Sequence, residues 1–155
     1  MTRKILMITA LSFLFAGCAS TNNSISPDKT TYEKVETSTF NGGAISSEFL
    51  MTSEKNKTGT LRKYGYDGKV TSNTDIVNGV KSGFETLYDK EGRVLKKTPY
   101  TDGYIQGNEY IYYQGGKVMV KTPYLSGKKH GKAIAYNVDG SVNKTATYKK
   151  GRRIR

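Results

Sequence analysis

One cysteine, one histidine and two glutamates at equivalent positions are the residues through which this chain of 155 could do covalent, metal or acid–base chemistry. A zinc-type site needs several His or Cys ligands. Cys18 and His130 are single, and the sequence therefore predicts no metal centre and no cofactor. His130 sits in the segment GKKHG, Gly127 to Gly131, and reads as a turn residue rather than a general base. Glu85 and Glu109 stand 24 residues apart. Two acids in register suggest acid–base work, but on neighbouring hairpins they read more simply as solvated strand residues. Serines occur without a triad pattern and Gly-Lys pairs without a phosphate-binding loop, so the expectation is a protein that is not an enzyme.

Cys18 has a different use. Residues 1–17, MTRKILMITALSFLFAG, give a basic start at Arg3 and Lys4 and an apolar run too short to span a bilayer comfortably, the pattern of an export signal. A lone cysteine after Ala16-Gly17 resembles a bacterial lipobox, which implies cleavage and acylation of Cys18. The alternative is an ordinary signal peptide with an incidental cysteine. Acyl chains bind at about 0.8 kcal/mol per buried methylene, so more than one chain gives a lasting membrane anchor. Ala19 and Ser20 after the cysteine imply sorting to the outer membrane, facing the periplasm or the surface. With one cysteine, the monomer has no internal disulfide and must hold itself by sheet hydrogen bonds and packing.

The elements that position the remaining residues come from a repeat. Glycines recur at a step of 24 in three series: 59, 83, 107, 131; 68, 92, 116, 140; and 79, 103, 127, 151. Tyr64, Tyr88, Tyr112 and Tyr136 keep the same step, as do Val70, Val94, Val118 and Val142, and more loosely Ile76, Tyr100, Tyr124 and Tyr148. A fixed period of this length marks a repeat architecture whose units cannot bury an apolar face alone. The segment GKKHGKAIAYNVDG, from Gly127 to Gly140, resembles the bacterial variant of the MORN repeat found in YwqK-family antitoxins. That resemblance covers residues 59–155 and implies a β-hairpin meander; for function it implies an antitoxin or immunity role against a cognate toxin.

Within one unit, Phe84 to Asp89 alternates like a strand, Lys90-Glu91-Gly92 supplies a turn, and Arg93 to Tyr100 reads as a second strand. If Asp89 meets Arg93, Tyr88 faces Val94 across the hairpin. Strict alternation would then put Val94 and Tyr100 on the face of Tyr88, making Tyr, Val and Tyr or Ile the core. The opposite face, with Glu85, Glu109 and Lys97, would be largely solvated. Pro99 and Pro123 predict an unpaired amide or a bulge just after Thr98 and Thr122. The expected fold is all-β: an elongated antiparallel meander of 24-residue hairpin repeats forming a single-layer twisted sheet of about eight main strands. Residues 1–17 form the leader, 18–39 the lipidated N-terminus and tether, 40–58 a frayed, degenerate capping repeat, and 59–155 the four units.

Formal charge is +12, and it is concentrated in the repeats. Residues 127–155 hold nine basic residues against Asp139 alone. The plain reading is solubility; the sharper one is attraction to an anionic partner, with binding that weakens in salt. Tyr88, Tyr112 and Tyr136, together with Lys128, Lys129, Lys149, Lys150, Arg152 and Arg153, are the candidate binding residues. The tyrosine row is either core or an open groove, since tyrosine brings large area and a polar tip. The partners expected are the membrane, through acylated Cys18, and a protein or anionic component of the bacterial envelope. An exported, anchored chain seldom meets nucleic acid.

Overall fold

The computed structural model describes residues 31–154. The expected leader at 1–17, Cys18, most of the expected tether and Arg155 lie outside the described residues. The described chain is one antiparallel sheet of thirteen strands. These are β1 (Lys34–Thr39), β2 (Ile45–Ser53), β3 (Thr58–Tyr64), β4 (Val70–Val77), β5 (Val80–Tyr88), β6 (Val94–Thr101) and β7 (Tyr104–Ile105), then β8 (Gly107–Tyr112), β9 (Val118–Leu125), β10 (Lys128–Lys129), β11 (Gly131–Tyr136), β12 (Val142–Lys149) and β13 (Arg152–Arg153). The long strands pair in chain order, as a meander does, and β7 and β10 are short side pairings on β6 and β9.

The hairpin turn is written in Asp89 to Arg93. The Asp89 N–H donates to the Arg93 carbonyl at 2.9 Å, while its carboxylate accepts from the Glu91 and Arg93 amides and from the Arg93 guanidinium at 2.6 Å. Gly92 closes the turn at φ 80°, and Gly68, Gly116 and Gly140 do the same at φ 75°, 79° and 91°. A Cβ in that left-handed region costs about 1–2 kcal/mol. Tyr88 does face Val94.

The register slips directly afterwards, however, because Leu87 pairs with Lys96 and leaves Leu95 as an extra residue. The bulge reverses the expected parity. Tyr88 shares a face with Thr86, Phe84, Lys97 and Pro99, whereas Tyr100 lies opposite, with Thr98, Glu85 and Leu87. The expectation of one core face bearing both tyrosine rows is therefore corrected. Most of the burial falls on the face of Glu85 and Tyr100, which joins first-strand positions read as solvated to second-strand positions read as core: Met51, Ser72, Thr74, Ile76, Thr98 and Thr122 are buried there. Thr98 is only 1% exposed.

A second row of turns joins successive hairpins. Asn78-Gly79, Asp102-Gly103, Ser126-Gly127 and Lys150-Gly151 all have positive φ at both residues, the two-residue hairpin form that matches strand twist. Each glycine amide donates one unit back: Gly79 to Lys57 O, Gly103 to Lys81 O, Gly127 to Ile105 O and Gly151 to Lys129 O, at 2.8–3.1 Å. After each turn the pairing is interrupted. Pro99 and Pro123 sit opposite the interruption, and their carbonyls accept from the Gln106 and His130 amides. In an antiparallel strand a residue's N–H and C=O point the same way. The missing proline donor therefore falls where the ladder is already broken, as the sequence predicted.

The N-terminal cap is a complete hairpin. β1 starts at Lys34, inside the segment expected to be tether, and the cap spans 34–53 rather than starting at 40. Phe40 N–H donates to Ala44 O as Gly65, Asp89, Tyr113 and Asn137 do to their counterparts. The spacing from Phe40 to Gly65 is one residue longer than the repeat, which hid the frame. The cap is not frayed, since Leu50 and Met51 are both buried against β1 and β3.

Candidate functional site

The positions singled out in the sequence fall on two opposite margins of the sheet. Tyr88, Tyr112 and Tyr136 stand beside the bulged turns, paired with Val94, Val118 and Val142. Lys128, Lys129, Lys149, Lys150, Arg152 and Arg153 gather at the C-terminal end of the other turn row. Val142 and Lys149 are the two ends of β12, roughly 23 Å apart at the rise of an extended strand. The tyrosines and the cations therefore do not form one site.

The cationic cluster is built from a short pairing on each side of one turn. Lys128 and Lys129 pair with Leu125 and Tyr124. Lys149 and Tyr148 pair with Arg152 and Arg153 across the Lys150-Gly151 turn, and Gly151 bonds back to Lys129 O. This stacks two basic turns in adjacent units. The Lys129 ammonium lies 5.3 Å from the centre of the Tyr148 ring, which holds it by attraction to the ring face. Lys128, Lys149, Lys150, Arg152 and Arg153 are exposed. The acid of this unit, Asp139, is in the bulged turn at the other margin, where it accepts from the Ser141 amide and hydroxyl, contacts that hold its carboxyl below the ordinary value. The row of cations is open to solvent and has no enclosing walls. Such a surface suits an extended array of negative charge better than a single small anion.

The tyrosine margin is half-buried and partly satisfied. Tyr64 donates to Glu48 and Tyr88 accepts from Asn73 Nδ2 at 3.2 Å. Burial pushes the Tyr112 hydroxyl up, with Tyr110 beside it. The Tyr110 and Tyr112 rings are 6.3 Å apart. An open depression of about 470 Å³ lies over Arg62, Asn73, Tyr88 and Lys90. The three rings are half-buried on the sheet, and Tyr88 borders the depression.

The glutamates are not free strand residues. Glu85 accepts from Lys81 Nζ at 2.6 Å, Tyr100 Oη at 3.2 Å and Thr74 Oγ1 at 3.4 Å. Glu109 accepts from Thr98 Oγ1 at 3.1 Å and lies 3.8 Å from Lys96 Nζ. Burial pushes the Glu85 carboxyl up, but Lys81 and then Tyr100 outweigh it and leave it below its ordinary value. A general acid at neutral pH needs the opposite shift. The arrangement instead ties one hairpin to the next and spreads the acids through the interior of the sheet. Burial raises Tyr100 first, with Glu85 adding to it, and Tyr124 is raised in the same way beside Glu109.

His130 is half-buried at the break between β10 and β11, where its main-chain amide bonds Pro123. Gln106 holds the equivalent place against Pro99. Among the described residues no group of three or more His, Cys, Asp or Glu is placed to hold a metal ion. Sequence reasoning missed the row of two-residue turns that aligns the cations, although Asn78-Gly79 and Asp102-Gly103 are strong signals for it. It also missed the Glu85 and Glu109 networks, which depend on the bulge. No protein-family model matches the chain, and no curated protein matches it.

Proposed function

We propose that this protein is a non-catalytic binding module of the bacterial envelope, a MORN-like repeat lipoprotein anchored through acylated Cys18. In this reading its C-terminal basic turns contact an extended anionic surface. The observation that carries it is the stacking of Lys128 and Lys129 beside Lys149, Lys150, Arg152 and Arg153, exposed on one margin with the unit's carboxylate at the other. The interior units support the same reading by contrast, since their cations Lys81, Arg93 and Lys96 are paired with Glu85, Asp89 and Glu109, whereas Lys128, Lys149 and Lys150 are exposed.

Two measurements on cells test it. Cys18→Ala should move the protein from the membrane to the soluble fraction; unchanged membrane association would overturn acylation as the anchor. Affinity purification from detergent-solubilised cells at low and high salt, without crosslinking, should give contacts that fade with salt and are lost in K149Q/K150Q/R152Q/R153Q. One stoichiometric protein retained at high salt and by the variant would overturn the electrostatic reading in favour of immunity against a cognate toxin.

A further inference from the structure

Among the described residues the C-terminal edge of the sheet, on β12, is open along half its length. Inside the sheet β9 is flanked on its far side by β11, with Lys121 opposite Ile134 and Val120 opposite Ala135. Among the described residues the same positions 24 residues on, Thr145 and Lys144 of β12, have no such neighbour, because β13 pairs only with Tyr148 and Lys149. Val142 to Thr145 are exposed. The direction of the backbone groups follows from two bonds. Pro123 O accepts from His130 and Thr147 O from Ile154, so both residues face away from their own hairpin partner. Thr145, two residues before Thr147, then turns its N–H and C=O off the open edge.

Among the described residues β1 is the matching edge at the other end. The Phe40 amide faces β2 through its bond to Ala44 O, so Thr39, Thr37 and Val35 face outward by alternation. Thr37 lies three residues before the turn-opening amide, as Ile134 lies three before Asn137, whose amide bonds Ser141 O. β1 is thus the counterpart of β11, the strand that would come next after β12 if another unit followed.

We propose that β12 is the docking edge for β1 of a second copy of this chain, antiparallel, with Thr37 opposite Thr145, so that copies extend the sheet head to tail. The charges match this register. Lys144 is the counterpart of Lys96 and Glu36 that of Glu109, and Lys96 and Glu109 are the pair that bridges β6 and β8 at 3.8 Å. In the docked register Lys144 meets Glu36 as Lys96 meets Glu109. Residues 31–58 carry four acids against three bases, while residues 127–155 carry nine bases against one acid. Strand addition at an open edge is a general route to association, and a head-to-tail contact that does not close gives chains of varying length. The proposal is independent of the anionic contact, which uses the turn row and not the strand edge.

Sedimentation of the full chain in detergent over a concentration series tests this. The expected result is a series of masses above the monomer that grows with concentration. Thr145→Pro removes an outward N–H without breaking a bond inside the chain, and should return the protein to monomer with its unfolding midpoint unchanged. K144E and E36K should each weaken association roughly 3- to 5-fold, on the scale of an exposed ion pair, and the double variant should restore it. Monomer at every concentration, or association indifferent to Thr145→Pro, would overturn the proposal. So would sensitivity to K144E with E36K silent, which would mean that β12 pairs with β12.

Discussion

The hairpin β5–β6 and the hairpin β11–β12 are built on one 24-residue frame, yet only the first is part of a packed interior. In β6, Thr98 is 1% exposed and donates to Glu109 of the next unit. Its counterpart in β12 is Ala146, half-buried, and the carboxylate position of that unit is Ala133. Lys81 finds Glu85 on its own strand and Lys96 finds Glu109 across on β8, whereas Lys128, Lys149 and Lys150 project into solvent. A hairpin of this type therefore does not bring its own core, and the acid beside Lys96 comes from the next unit, as expected for a one-dimensional array.

The largest loss of stability is expected at the junction between the cap and the first unit. A Cβ on Gly59 would lie 2.7 Å from Met51 Cα and closer still to the Leu50 carbonyl. Gly59→Val should cost about 3 kcal/mol in urea unfolding, because rigid main chain must move. Gly92→Val tests the turn instead, where nothing lies within 4 Å and only the φ of 80° resists. A melting curve lowered by about 1–2 kcal/mol is expected there. Thr98→Val removes a donor from Glu109 and should cost about 1–2 kcal/mol. Thr145→Val, on the open edge, should stay within about 0.5 kcal/mol. Equal costs at 98 and 145 would erase the distinction between interior and end.

The smallest effect is one of pH. Glu85 has its carboxyl held below the ordinary 4.5 by Lys81 and Tyr100 despite burial. A depressed carboxyl stabilises the fold above that value and loses the contribution as pH falls through the folded value. The stability gap between the native protein and Glu85→Gln should thus be full at neutral pH and close in acid, as read from urea midpoints at both. A gap that widens in acid would mean that the carboxyl is not ionised in the fold.

What could be read from the sequence was what glycine encodes locally. The left-handed turn at Gly92, the facing of Tyr88 and Val94 and the break opposite Pro99 each follow from one or two residue types that few other conformations tolerate. The face assignment was not legible, because the extra residue Leu95 has no signature of its own and reverses everything after it. β1 was hidden for another reason. Its sequence, KVETST, offers one apolar side chain and resembles a polar linker; only pairing with β2 makes it a strand. Of the candidate site, the crowding of cations was legible and their alignment was not, since it depends on the bond from Gly151 to Lys129 across 22 residues.

Vesicle flotation of the full chain tests for a cationic contact surface at its C-terminal end. Anionic phosphatidylglycerol vesicles are compared with zwitterionic phosphatidylcholine vesicles at low and high salt. An acyl anchor inserts into both, so the difference between them reports the basic row. The account predicts an excess on the anionic vesicles that falls with salt and disappears in K149Q/K150Q/R152Q/R153Q. Equal flotation on both, or an excess that the variant keeps, would contradict it.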